Sequence, residues 1–296
     1  MEEYGDCEAV NMLKECKKFG KPVPNFLLYG SQGLGKSTFA NLMKQFIFDP
    51  RNVFESNASF ERGIGSIRNH LSTFINRKND SAQRKLVIMD EADNLTADAQ
   101  AGLKGIIENP KFVSDESKIT FCLICNNETK IIPEIQSRLN CYLFKPFDKE
   151  TLISKLKTIL IKEKRNPISS EALETIYELS NGDLRNAINN LQLFVTLNLS
   201  IQELYELSAT PSVELIKELF LLRKDIFKVC EYLQDLIYRG YSPKNILSQI
   251  VKYVKMDTSN VDHSEMIQII QTIPDIENNL EIATPAIQLS KIFLKP

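Results

Sequence analysis

Residues 30–37 read Gly30-Ser31-Gln32-Gly33-Leu34-Gly35-Lys36-Ser37, the spacing G-x-x-x-x-G-K-[ST]. Placed between a strand and a helix, such a run is a phosphate-binding loop. Its glycines let the backbone curl so that successive N–H groups face a polyphosphate, and the helix start behind it adds positive potential. On this reading Gly30 to Ser37, with Thr38 opening the helix, hold the phosphates of a nucleotide. Lys36 reaches the β- and γ-phosphates, and the Ser37 hydroxyl ligates Mg²⁺. A second cluster, Asp90-Glu91, ends the apolar run Leu86-Val87-Ile88-Met89. In open α/β sheets, ligands sit at the carboxyl ends of the strands. There Asp90 suits contact with Mg²⁺, and Glu91 suits orientation of an attacking water as general base.

These groups need elements to hold them. Short apolar runs at 26–29, 53–55, 86–89, 119–125 and 141–144 are predicted strands, separated by segments with apolar residues at three- and four-residue spacing. Several runs are apolar on both faces, which predicts a parallel sheet covered by helices on each side. The helix after the phosphate loop is expected over 38–46. Beyond Lys145-Pro146 only helical periodicity remains, punctuated by Asn166-Pro167, Asn181-Gly182, Pro211, Gly240 and Pro274. Three helices are expected over 149–205, and four or five over 212–296. The division expected is an α/β domain at 1–147, a helical domain at 148–207 and a second helical domain at 208–296.

Composition narrows the alternatives. Hydrophobic residues make up 43% of the chain and charged residues 25%, which suits a large globular core. The net charge of −2 gives no global basic field, so contact with nucleic acid needs a local basic face. The cysteines, Cys7, Cys16, Cys122, Cys125, Cys141 and Cys230, are scattered and follow no signal-like segment, which predicts free thiols in a reducing compartment. Cys122-x-x-Cys125 lies in an apolar run and reads as core packing rather than a zinc pair. No apolar stretch approaches the roughly 20 residues of a membrane span. Asp90-Glu91-Ala92-Asp93 spells the tetrapeptide of the DEAD-box helicases, but those carry a second strand-containing domain where this chain reads as helix.

Longer segments carry a family likeness. Asn57-Ala58-Ser59-Phe60-Glu61-Arg62-Gly63-Ile64, Asp90-Glu91-Ala92-Asp93 with Thr96, Ala99-Gln100 and Leu103, Cys125-Asn126 with Lys130-Ile131-Ile132 and Ile135-Gln136-Ser137-Arg138, and Gly182-Asp183-Leu184-Arg185 with Ala187-Ile188-Asn189-Asn190-Leu191-Gln192 follow one another in order. So do Gly240-Tyr241-Ser242 and Ile287-Gln288-Leu289 near the C-terminus. The series resembles the small subunits of replication factor C, the AAA+ clamp loaders. Val23-Pro24-Asn25 and the segment from Ala187 lean towards the type called subunit 2 in animals and subunit 4 in budding yeast.

The resemblance implies an AAA+ P-loop NTPase domain with a parallel sheet, a small helical lid domain and an all-α C-terminal collar. It implies an ATPase, active mainly in an assembled complex, that helps open a sliding clamp and load it onto primer–template DNA. Implied partners are the other replication factor C subunits in a hetero-pentamer, a clamp of the proliferating cell nuclear antigen type, and the DNA backbone; the implied location is the nucleus, or the cytoplasm in a source without one. By position, Asn126 matches the sensor-1 residue beside the γ-phosphate, and Arg185 matches sensor 2. Arg138 matches an arginine finger acting in trans on a neighbour's nucleotide. Arg62, Arg68 and Lys104 match residues that grip the DNA backbone. The chain departs from the pattern at Gly102-Leu103-Lys104-Gly105, where the family has A-L-R-R and where two glycines together cost roughly 2 kcal/mol of helix propensity. Leu139 stands where a Cys usually follows the finger, and the family's N-terminal W-x-E-K-Y-R-P arm, which lies against the adenine, is expected to be missing. Two rivals have their own discriminators. An ATP-binding structural subunit would bind nucleotide without turnover. A bacterial-type loader or Holliday-junction motor is disfavoured by the absence of a zinc-type cysteine cluster and the presence of N-A-S-x-x-R-G-I.

Overall fold

A computed structural model describes residues 8–19, 21–59, 64–77, 84–109, 119–256, 263–280 and 283–294. The chain divides into two compact units, Met1–Ile168 with Ser180–Asn189, and Ser169–Leu179 with Asn190–Pro296.

The first unit is built on five parallel strands: β1 (Phe26–Tyr29), β2 (Val53–Asn57), β3 (Lys85–Asp90), β4 (Ile119–Ile124) and β5 (Asn140–Leu143), in the order β2-β3-β4-β1-β5. Strand alternation splits the inner three strands between two cores. Leu27, Val87, Met89, Phe121 and Leu123 face one way, against Leu71 and Ile75 of helix α3 (Ile64–Asn76) and Ala99, Leu103 and Ile107 of α4 (Ala97–Ile107). Phe26, Leu28, Leu86, Ile88, Cys122 and Ile124 face the other way, against α1 (Glu8–Phe19) and α2 (Lys36–Ile47). Cys122 and Cys125 are free and buried, as packing requires.

Two local features position functional segments. Lys85 is buried at the start of β3, and its ammonium donates to the Phe74, Ile75 and Arg77 carbonyls at 3.0, 2.8 and 2.6 Å, capping the C-terminal end of α3. Burial, and secondarily the Arg77 charge, lowers the pKa of that lysine. Helix α4 forms despite Gly102 and Gly105. Thr96 caps it by accepting from the Ala99 N–H at 3.2 Å, and its buried face of Ala99, Gln100, Leu103 and Ile107 supplies the packing that propensity lacks.

Helix α2 begins at Lys36, two residues before the expected start, because Gly35 serves as its N-cap. After the short α5 (Pro133–Gln136) and β5 come α6 (Lys149–Lys162), α7 (Ser170–Ser180), α8 (Leu184–Leu197) and α9 (Ile201–Leu207). The last is a helix beyond the three expected over this stretch; a Ser200–Glu203 capping box initiates it.

In the second unit α10 (Val213–Leu221), α11 (Ile226–Tyr238), α12 (Pro243–Met256), α13 (His263–Asn279) and α14 (Pro285–Ser290) share one core. Pro274 was expected to break the chain but lies inside α13. Buried Ile269 and Ile276 anchor the helix on either side of it, offsetting the hydrogen bond that proline removes. Among the described residues no strand follows β5, and no helix is long and apolar enough to cross a membrane.

Candidate active site

The phosphate loop leaves the carboxyl end of β1 and is forced to curl by its glycines. Gly30 has φ 133°, and a Cβ there would run into the Phe144 carbonyl oxygen. Gly35, at φ 93°, caps α2 without any side-chain acceptor, so the N–H groups of the first turn face the loop's concavity. Lys36 opens that turn and is buried. Its ammonium donates to the Gly30 and Ser31 carbonyls, both at 2.6 Å, and to Asn126 Oδ1 at 3.1 Å.

All three of those acceptors are neutral. Burial is the main cause that lowers the Lys36 pKa; Asp90 and Asp93 oppose it, and the Arg185 charge reinforces it. A buried cation held only by neutral oxygens, beside an uncapped helix start, is a fitted receptor for an anion.

The carboxylates stand at the end of the neighbouring-but-one strand. Ser37 Oγ donates to Asp90 Oδ2 at 2.9 Å, so the two oxygens expected to ligate a hard cation are already adjacent. Among the described residues no cluster of three acidic, histidine or cysteine side chains could hold a metal alone. One carboxylate and one hydroxyl would suit a hard divalent cation such as Mg²⁺, which needs few protein ligands.

Glu91 follows in a left-handed conformation, φ 54°, a costly backbone for a non-glycine residue. Its carboxylate accepts from the Ser59 hydroxyl and from Asn94 Nδ2 at 3.0 Å, and Asn94 also donates to Ser59 Oγ at 2.9 Å. Asn126 is fixed by its backbone N–H, which donates to Asp93 Oδ2 at 3.2 Å, as does that of Asn127.

These groups open onto one cavity of about 520 Å³ inside the first unit, lined by residues 32–38, Asp90, Glu91, Asn126 and Arg185 among others. Arg185 arrives from the first turn of α8, whose cap Asp183 accepts from the Asn186 N–H at 3.0 Å. The preceding Gly182 packs so tightly that a Cβ would come within 2.7 Å of Pro146.

Other expected residues lie elsewhere. Arg138 is not among the residues lining this cavity. Lys104 lies on α4, with its ammonium 3.9 Å from Glu108. Arg62 lies outside the described residues; Arg68 falls within α3, but its side chain is outside the described part.

Comparison with known proteins gives this geometry a lineage. Residues 26–147 match the model of the ATPase family associated with various cellular activities (AAA), and residues 211–295 match that of the replication factor C C-terminal domain. A replication factor C small subunit of Sulfurisphaera tokodaii is 33% identical over 297 residues, covering 97% of this chain and 89% of its own. The chain belongs to the replication factor C small-subunit family. The probable replication factor C subunit 5 of Dictyostelium discoideum, a family member, is 32% identical, with 88% of this chain and 77% of the relative covered. A solved structure of the RuvB Holliday junction branch migration motor of Thermotoga maritima aligns with TM-score 0.56 at 17% identity, covering 82% of this chain and 85% of that one. That likeness concerns the AAA+ fold alone.

In this replication factor C subunit, some residues that shape the site carried no functional signal when read from sequence. Ser59 and Asn94 hold Glu91, but nothing in their spacing joins them to the carboxylate. Gln100 is buried on α4. Its amide donates to the Leu95 and Lys130 carbonyls at 3.3 and 2.9 Å and accepts from the Ile132 N–H at 2.8 Å. It thereby ties α4 to the segment leading into Arg138. Its place in the Ala99-Gln100 pair and on an otherwise apolar helix face were the available signals, but neither names its partners.

Proposed function

We propose that this subunit binds and hydrolyses ATP–Mg²⁺ within a hetero-pentameric clamp loader, helping to open a sliding clamp of the proliferating cell nuclear antigen type and place it on primer–template DNA. The observation that carries the reading is the shared cavity where Lys36, Ser37, Asp90, Glu91, Asn126 and Arg185 meet. The family of the chain supplies the clamp-loading context, and nuclear action follows from it for a source with a nucleus.

Within the site, Lys36 exchanges its neutral acceptors for β- and γ-phosphate oxygens. Loop N–H groups from Gly30 to Thr38 bind the remaining phosphate charge. When bound, Mg²⁺ neutralises β- and γ-phosphate oxygens, and Ser37 and Asp90 are the residues that would hold it. Asn126, freed from Lys36, orients the attacking water with Glu91 as its base. Ser59 and Asn94 both donate to Glu91 Oε2, which fixes the carboxylate that lines the cavity. Arg185 sets fixed positive charge at this site where the transition state spreads negative charge, and Arg138 does the same in trans at the nucleotide of the neighbouring subunit.

DNA contact falls to Arg62, Arg68 and Lys104, through phosphates and without sequence preference. The three-part division 1–147, 148–207 and 208–296 assigns catalysis, lid and collar. Support for a collar comes from α10–α11, which bury one face yet leave Leu221, Phe227 and Tyr238 82%, 81% and 92% exposed.

Glu91→Gln tests the hydrolytic part of this reading. The amide cannot accept the water's proton, so ATP binding should stay within about threefold while single-turnover hydrolysis at this site falls by roughly 10²–10⁴. Hydrolysis at the wild-type rate in Glu91→Gln would leave Glu91 without the role of base, whereas absence of turnover at this site in the wild-type chain itself would favour a purely structural, ATP-binding subunit.

A further inference from the structure

Glu108 is the C-cap of α4, its own N–H bonded to the Lys104 and Ile106 carbonyls. A carboxylate there faces the negative end of the helix dipole, the terminus that favours cations. Helix stability therefore gives no reason for an acid at this position; its partner does. Arg138 Nη2 lies 2.6 Å from Glu108 Oε1, whereas Lys104, one turn back on the same helix, reaches that oxygen only at 3.9 Å. The carboxylate belongs to Arg138.

The rest of the guanidinium is also fixed. Nη1 donates to the Glu134 carbonyl at 2.5 Å and to Ser137 Oγ at 2.9 Å. A guanidinium has five N–H donors, and these three acceptors leave the others open to an anion. Arg138 is thus aimed from two sides: by the end of α5, which precedes it, and by α4, which Gln100 braces against the segment before α5.

We propose that Glu108 is a positioning residue for Arg138, holding the guanidinium in the orientation in which it meets the nucleotide of the neighbouring subunit. The inference rests on the reading of Arg138 as a finger in trans. The pair is about two-fifths exposed on the arginine side, so its worth lies in orientation rather than in fold stability. Losing it lets a long side chain sample other rotamers, and a misplacement near 1 Å costs on the order of a hundredfold in rate.

The test uses assembled complexes in which only the site facing Arg138 can hydrolyse ATP. Glu108→Gln keeps the shape of the side chain and removes its charge. Expected are a fall in kcat at that site of about tenfold to a hundredfold, an unchanged KM for ATP there, and an unchanged thermal midpoint of the isolated chain. Glu108→Gln combined with Arg138→Ala should be no slower than Arg138→Ala alone, because a positioning residue has nothing left to position. Wild-type kcat in Glu108→Gln, with turnover lost in Arg138→Ala, overturns the inference and leaves the finger standing. Equal losses that add in the double variant overturn it as well. Turnover preserved in Arg138→Ala removes the finger reading itself, and the inference with it.

Discussion

Lys36→Ala should yield a folded chain that no longer binds ATP tightly. In the free protein the ammonium is buried against two loop carbonyls and the Asn126 amide oxygen, at a desolvation cost that lowers its pKa. Such a charge contributes most when a polyphosphate arrives, since the attraction acts where water is largely excluded. Removing one partner of a buried, charge-assisted contact costs about 3–5 kcal/mol, roughly two to four decades in affinity. Uncapped N–H groups at the start of α2 remain, and they sustain only weak binding. Stability of the unliganded chain should change little, because the variant sheds a desolvated charge while freeing two loop carbonyls. Equilibrium titration with a fluorescent ATP analogue, paired with thermal unfolding, separates these effects. An affinity equal to that of the wild type would place the nucleotide elsewhere.

Arg138→Ala should leave ATP affinity of the isolated subunit unchanged, since Arg138 does not line its own cavity. In the assembled complex the same change should cut hydrolysis at the one interface it faces, where fingers of this kind contribute on the order of 10³–10⁵ in rate. Total ATPase falls less, because other interfaces keep their own arginines. Partners disabled at every site but the facing one expose the full effect. If Arg138 only braced the turn after α5, the variant would lose stability as an isolated chain, and turnover at the facing site would survive in the complex.

Much of the first unit was legible because its signals are local. Short runs of three to seven residues located all five strands, most plainly β1, β3 and β4, since a strand buried on both faces needs nearly every side chain apolar. The phosphate loop was legible for a similar reason: glycine spacing and a lysine at a helix start are properties of consecutive residues. Helix α2 began at Lys36 because the left-handed Gly35 cap is a backbone fact that residue type only permits. Pro274 misled because a proline's cost is local, whereas the packing of Ile269 and Ile276 that offsets it comes from distant helices. The bonds from Ser59 to Glu91, Gln100 to Ile132 and Glu108 to Arg138 join residues 32, 32 and 30 positions apart, across elements whose approach only the folded sheet determines. Pairings of that kind show no period; they become visible as donors and acceptors only once the strands are in register.

The most direct test of the account is clamp loading itself. A loader reconstituted from replication factor C subunits, with and without this chain, is mixed with a fluorescent sliding clamp, end-blocked primer–template DNA and ATP–Mg²⁺. Clamp retained on the DNA after a high-salt wash is then counted. The account predicts retention only when this chain and hydrolysable ATP are both present, and its loss when Lys36→Ala replaces the wild type. Equal retention without the chain, or with the Lys36→Ala chain in its place, would contradict it.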